Sequence, residues 1–203
     1  RLPGIVIAEQ QDPTQLNLTY RGIGNPQESE YVLVLQDGIP IALDWFGYPT
    51  AYYLPVPQTV DSIQMIRGGS GLLYGPQPQP VINYISRLPD PDHVVTGVTE
   101  QVFGSNGLFS SFNKITGTHE ALGYLADFNH QQSDGLRENG DYDLNSGDVR
   151  LTYKLDADQD LRFDFLGYAL DSGLPGFLTV QQFDANPDQT TTSADHLWTD
   201  RYT

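Results

Sequence analysis

The chain has 203 residues, no cysteine, 38% hydrophobic residues and a formal net charge of −16, from 26 acidic against 10 basic residues. That charge would repel a phosphate backbone and argues against nucleic-acid partners, and the lack of cysteine excludes disulfide scaffolds, thiolate metal sites and cysteine nucleophiles. No apolar run approaches the ~18 residues of a spanning helix, which excludes a helical membrane protein but not a β-barrel, whose strands are apolar only at every second residue.

The chain opens on Arg1-Leu-Pro-Gly-Ile-Val-Ile without a signal peptide and stops on Leu197-Trp-Thr-Asp-Arg-Tyr-Thr203, in what reads as the start of a strand. Both ends read as cuts through a larger protein. In chain order, the first strand candidates are Gly4–Ala8, Leu16–Tyr20, Tyr31–Leu35, Ile39–Leu43, Ser62–Arg67 and Val81–Ser86, rich in Val, Ile, Leu and Tyr and bounded by Gly, Pro and Asp. Asp37-Gly38 lies between two such runs and signals a tight hairpin turn. Leu54-Pro-Val-Pro-Gln-Thr-Val-Asp61 reads as a short helix, since proline is tolerated at a helix entrance. Arg67-Gly-Gly-Ser-Gly-Leu-Leu-Tyr74-Gly-Pro-Gln77 is interrupted by glycine too often for a core strand and reads as a backbone that turns sharply and repeatedly. Leu88-Pro-Asp-Pro-Asp92 is a stiff break. It separates a first unit, residues 1–89, from a second, residues 90–203.

Beyond the break the texture changes to longer alternating strands. Val149, Leu151, Tyr153 and Leu155 share one face against Asp148, Arg150, Thr152 and Lys154. Leu161, Phe163 and Phe165 oppose Arg162 and Asp164; Leu122, Tyr124, Ala126 and Phe128 oppose Gly123, Asp127 and Asn129, with Leu125 breaking the polar row. Val94–Gly104 and Gly107–Gly117 alternate less cleanly. A period of two held over about ten residues suits a tilted strand crossing a bilayer. The links agree. Thr118-His119 and Asp156–Gln159 are short and fall at one end of the sheet, while Ser133–Asn145 and Ser172–Asp195 are long, polar and at the other. Ser105-Asn106, on the long-loop side, is short. Short turns at one end and long loops at the other are what outer-membrane barrels show; a soluble β-sandwich is the competing reading of the alternation.

Enzyme chemistry finds no footing. His93, His119, His130 and His196 lack a metal-ligand spacing. Asp156-Ala-Asp158-Gln-Asp160 begins like a calcium loop but has Leu161 where the turn glycine belongs and Gly167 where the bidentate glutamate belongs. Gly68-Gly-Ser-Gly71 lacks the Gly-Lys of a phosphate loop, and no nucleophile elbow precedes a helix. Arg21 and Arg67 each precede a glycine at a strand end. Inside a barrel they would need carboxylate partners; the alternative is an exposed arginine at a turn.

Five elements occur in order over most of residues 1–88: Leu18-Thr-Tyr-Arg21-Gly22, Val34-Leu-Gln-Asp37-Gly38-Ile-Pro40, Val60-Asp-Ser-Ile-Gln-Met-Ile-Arg67-Gly68, Tyr74-Gly-Pro76 and Val81-Ile-Asn83-Tyr-Ile-Ser-Arg87. Together they resemble the plug domain of TonB-dependent outer-membrane receptors, the siderophore receptor family. Ile39-Pro-Ile41, Gly47-Tyr-Pro49, the double glycine after Arg67, Tyr74-Gly-Pro-Gln77, Ser172-Gly-Leu-Pro-Gly176 and Phe183-Asp-Ala-Asn186 look most like its ferric dicitrate transporter branch. The resemblance implies a mainly β protein. A small mixed α/β plug is followed by roughly the first five or six antiparallel strands of a transmembrane β-barrel of about 22 strands. It implies import of a ferric chelate, with no catalysis and no cofactor beyond the transported ligand. TonB and its inner-membrane motor proteins would supply the energy in the outer membrane of a Gram-negative bacterium, with outer-membrane lipid as the other partner. Carried over by position, Arg21 and Arg67 match plug arginines that pair with barrel glutamates in strands beyond this chain. Gln77 is a ligand contact at the plug apex, and Trp45, Phe46 and Tyr48 line the same pocket or pack on the barrel wall. Gln64 stands where the family commonly has Glu, Gln79-Pro80 replaces a Gly-Gly, and the energy-coupling box is missing. The alternatives are import of a non-iron ligand, such as a cobalamin or an oligosaccharide, and a secreted β-rich glycan-binding module using exposed Trp45, Tyr52 and Tyr53.

Overall fold

The computed structural model describes residues 5–9, 16–23, 31–41, 53–74 and 80–203. Two compact units divide the chain, Arg1–Arg87 and Leu88–Thr203.

In the first unit, β1 (Ile5–Glu9) pairs antiparallel with β2 (Leu16–Tyr20). A four-stranded sheet runs in the order β4-β3-β6-β5, formed by β3 (Leu33–Gln36), β4 (Ile39–Pro40), β5 (Val60–Ile66) and β6 (Val81–Ser86). β6 is central and parallel to β3. Val81, Ile82, Asn83 and Tyr84 are consecutive and buried, so both faces of this strand are covered.

The Asp37-Gly38 turn has positive φ at both residues, 50° and 83°, the backbone that a two-residue hairpin loop selects. It is pinned to β6. Ser86 N–H donates to Asp37 Oδ1 (2.9 Å), Gly38 N–H to Asn83 Oδ1 (3.0 Å), and Asp37 N–H to the Tyr84 carbonyl (2.9 Å).

The short helix expected within 54–61 is present but confined to three residues, with Pro57 at its entrance. Residues Pro57–Thr59 form one 3₁₀ turn, and Val60 already belongs to β5. Pro55 and Pro57 supply no N–H for an α-helical ladder, and β-branched Val60 gains a strand partner in Ser86. The glycine-rich stretch Gly68–Leu73 coils as 3₁₀ turns. β4 is shorter than the expected Ile39–Leu43; residues 42 and 43 lie outside the described residues.

The second unit is a six-stranded antiparallel meander, each strand beside its sequence neighbours. Its strands are β7 (Thr96–Phe103), β8 (Phe109–His119), β9 (Leu122–Ser133), β10 (Tyr142–Lys154), β11 (Asp160–Gly173) and β12 (His196–Tyr202). The links at one end are residues 120–121 and 155–159; at the other they are 104–108, 134–141 and 174–195, the last carrying the short helix α1 (Val180–Ala185) with a Thr179/Gln182 capping box. β9, β10 and β11 all extend further toward the long loops than expected, so the loop expected over Ser133–Asn145 shrinks to 134–141.

Residues 88–95 are stitched onto this sheet. Asp90 N–H donates to Thr116 Oγ1 (3.0 Å), Thr118 Oγ1–H to the Asp90 carbonyl (2.7 Å) and the Tyr124 hydroxyl to the Val94 carbonyl (2.7 Å). The approach is so close that a Cβ on Gly117 would stand 1.9 Å from the Val94 carbonyl oxygen. The Asp92 amide, with His93 beside it, holds the Asp90 carboxyl below the usual carboxylate range against a weaker opposing effect of desolvation.

The pinned turn generates a test. Asp37→Ala orphans the Ser86 amide and is expected to destabilise the first unit by about 1–3 kcal/mol. Hydrogen exchange at Ser86 and its neighbours in β6 should accelerate accordingly, while Asp37→Asn, which keeps the acceptor, should stay close to the parent.

Candidate functional site

Side chains alternate along a strand, so register decides which residues share a face. Leu122, Tyr153 and Leu161 form one cross-strand row, Tyr124, Leu151 and Phe163 the next, and Ala126, Val149 and Phe165 the third. These rows lie on one face, toward the short-turn end. They are in the open: Phe163 is 59% exposed and Leu161 60%.

The opposite face of the same rows carries Thr152 beside Arg162, Arg150 beside Asp164, and Asp148 beside Asp127, which in turn faces Lys114 on β8. Arg150 is only 4% exposed and is ion-paired with Asp164, whose other oxygen lies 2.6 Å from Arg162 Nε. A buried guanidinium needs such a partner. The apolar side chains of these rows are thus in the open, while the opposite face carries the charge and buries Arg150 with Leu125 beside it.

Toward the long loops the pattern changes phase. The open face becomes His130, Asn145 and Ala169, then Gln132, Asp143 and Asp171. The covered face becomes apolar: Leu144, Leu166, Tyr168 and Leu170 are buried, Tyr168 to 1%. In β11 the switch falls between Phe165, the last large apolar side chain on the open side, and Leu166, the first on the covered side. Among the described residues, three buried polar atoms on the covered face have no hydrogen-bond partner: Asp127 Oδ2, Asn129 Nδ2 and Ser146 Oγ. Asn129 and Ser146 are direct register partners.

Two of the four histidines, His130 and His196, sit at this boundary or beyond it, whereas His119 closes β8 at the short-turn end and His93 lies beside it, its carbonyl accepting from Thr118 N–H. His130 Nδ1 lies 2.9 Å from Asn145 Oδ1, and His196 Nδ1 lies 3.3 Å from Asp171 Oδ1, while the His196 ring stacks on Trp198 at 5.4 Å. Among the described residues, no cluster of three His, Asp or Glu could hold a metal ion.

In the first unit, Arg21 and Arg67 converge on Tyr20. The Arg21 guanidinium lies 5.0 Å from the centre of the Tyr20 ring, and Arg67 hydrogen-bonds the Tyr20 hydroxyl. Both arginines are exposed, and Arg21 adopts φ 55°. Gln77, Trp45, Phe46, Tyr48 and Tyr52 lie outside the described residues. Tyr53 is buried, its hydroxyl donating to Gln36 Oε1 (2.9 Å), so it cannot present a ring to a glycan as the sugar-binding alternative needs.

Sequence reasoning missed Arg137 and Asn139. Both lie in the loop between β9 and β10 and bind carbonyls of the loop after β11. Nothing periodic marks them; the only cue is Asn139-Gly140, a dipeptide suited to positive φ, which Asn139 adopts at 57°.

Residues 1–78 match the family described as TonB-dependent Receptor Plug Domain. That match covers most of the first unit. The whole chain superposes on solved receptors. The ferric citrate transporter FecA, in its unliganded form, matches over 100% of this chain and 32% of its own length, with 24% identity and a TM-score of 0.81. The pyoverdine outer membrane receptor FpvA of Pseudomonas aeruginosa PAO1 matches over 83% of this chain and 24% of its own, with 22% identity and a TM-score of 0.64. The copper transporter OprC matches over 86% and 27%, with 19% identity and a TM-score of 0.68. The chain therefore spans about a third or less of the structures that it matches, and it has their fold: a plug domain followed by the first antiparallel strands of a barrel, here an open sheet with β7 and β12 as its edges.

The plug's arginine pair makes Tyr20 a reporter. Hydrogen bonding to Arg67, aided by the charges of Arg21 and Arg67, holds its phenol below the usual tyrosine range despite opposing desolvation. A depressed phenol contributes to stability in full above the unfolded value near 10 and loses that contribution as pH falls through the folded value. Difference titration of phenolate absorbance against Tyr20→Phe should reveal one early-ionising tyrosine, and Arg67→Ala should move it toward the ordinary range.

Proposed function

We propose that the chain is the plug and first barrel wall of an outer-membrane receptor that imports a ferric chelate in a Gram-negative bacterium, energised by TonB and its inner-membrane motor proteins. The observation that carries this reading is the two-phase sheet. A soluble sandwich buries the apolar face of its strands and leaves the polar face in water. This sheet leaves Phe163, Leu161 and Val149 open and covers Arg150 and Tyr168, which is favourable only where hydrocarbon meets the open face. The phase change then marks the level at which lipid gives way to water outside.

The ligand class rests on kinship in fold with FecA and FpvA, whose names specify ferric citrate and pyoverdine. The reaction is a translocation. The ligand binds at the outer face, the plug rearranges under pull from the periplasm, and no covalent bond in the ligand needs to change. Cobalamin or oligosaccharide import is the alternative within the same architecture.

Two experiments test the proposal. Phe163→Arg, in the apolar band, should cost about 2–4 kcal/mol for a receptor unfolded from phospholipid vesicles, whereas Thr152→Arg on the opposite face of a neighbouring strand should cost far less. In cells, uptake of a radiolabelled ferric chelate should be abolished by a protonophore, and deletion of residues 1–87 should replace it with an ungated leak. A deletion variant that inserts normally yet passes no small solutes would sink the plug assignment, and uptake of cobalamin but of no ferric chelate would redirect the ligand class.

A further inference from the structure

We propose that Arg137 is a positioning residue that joins the two long outer loops of this segment, residues 134–141 and 174–195, into one preformed wall of the ligand entrance; this rests on the transport reading above. Arg137 is half-buried and sends its guanidinium into the neighbouring loop rather than toward solvent. Nε and Nη2 donate to the Gln189 carbonyl (3.1 and 2.7 Å), Nη1 to the Gly176 carbonyl (2.7 Å), and Nη2 to the Pro175 carbonyl (3.2 Å). Asn139 adds a second clasp: its Nδ2 donates to the carbonyls of Thr192 (2.7 Å), Asp195 (3.0 Å) and Leu174 (3.3 Å). The backbones also join, through Glu138 N–H to the Asp188 carbonyl (2.8 Å) and Gly173 N–H to the Asp141 carbonyl (2.9 Å).

Glycines stand where the two loops meet and where the longer one folds on itself. A Cβ on Gly173 would lie 2.5 Å from the Asn139 carbonyl oxygen, and one on Gly176 would lie 2.1 Å from Thr191 Oγ1. Arginine has five N–H donors in a rigid planar fork, and the contacts above engage most of them with backbone carbonyls. Arg137 is thus not an anion receptor for the ligand. Its fork instead ties together two separated stretches of one loop, Pro175-Gly176 and Gln189, which the compact ammonium of lysine cannot do. With that clasp made, the exposed side chains of Leu136, Phe177 and Val180 are held in one place before any ligand arrives.

The test uses the full-length receptor in detergent, without ligand, as wild type, Arg137→Lys, Arg137→Ala and, as a charge control in the same loop, Glu138→Ala, whose backbone bond survives. Hydrogen exchange over residues 174–192 should quicken about tenfold or more in both Arg137 variants, remain unchanged in the control, and remain unchanged in β10 and β11 in all of them. In cells the two Arg137 variants should show a severalfold rise in KM for ferric-chelate uptake with the maximal rate preserved. Unchanged exchange over 174–192, or accelerated exchange throughout β10 and β11, would overturn the latch. Accelerated loop exchange with an unaltered KM, in a receptor whose wild type transports, would overturn the positioning role. A wild type that takes up no ferric chelate at all would instead count against the transport reading, while the exchange arm still decides the latch.

Discussion

A chain that meets hydrocarbon cannot leave a backbone N–H or C=O unpaired there, because no water is available to replace the lost partner. Everything in the second unit follows from that constraint. Its strands are joined in sequence order into one antiparallel meander, so that each ladder hydrogen bond is made locally. The period of two then distributes side chains between two environments without further instruction. Phe163 and Leu151 go to one side, Arg150 and Asp164 to the other. Charge on the covered side is bearable because it is paired: Asp164 serves both Arg150 and Arg162.

The same constraint explains why the pattern inverts partway along β11. Below the switch, the open side must be apolar and the covered side can be polar. Above it, water bathes the open side and packing becomes the better use of the covered side, so Leu166, Tyr168 and Leu170 turn inward. The outer loops then start from a rigid, water-exposed sheet rather than from the lipid boundary. A clasp such as that of Arg137 can hold them to one another because their strand ends are already fixed by the ladder below.

The plug obeys a different rule. Its small sheet is covered on both faces at β6, and its hairpin is tied down by side-chain bonds from Asp37 and Asn83. Arg21 and Arg67 are gathered at Tyr20 at a surface of this unit rather than spent on its core.

Local chemistry in the sequence determined the Asp37-Gly38 hairpin, the break at Leu88-Pro-Asp-Pro-Asp92 and the alternating cores of β9, β10 and β11, because turn residues and a period-two stripe act over a few positions and need no distant partner. The ordered plug motifs likewise made the family legible, although the apex residues proposed for ligand contact, Gln77 and Trp45 among them, lie outside what the structure describes. The short helix expected within 54–61 stops at Thr59 because Val60 finds a partner in β6, twenty-six residues away. Of the strand ends that read as loop, the longest is the first four residues of β10, Tyr142–Asn145, whose polar Asp143 and Asn145 resemble the loop before them; β9 and β11 exceed their expected ends by one and two residues. Only the tertiary structure could decide that Arg137 and Asn139 reach the carbonyls of residues 174–195. Such bonds join loops distant in sequence, accept any residue's carbonyl, and so leave no pattern in the acceptor side chains.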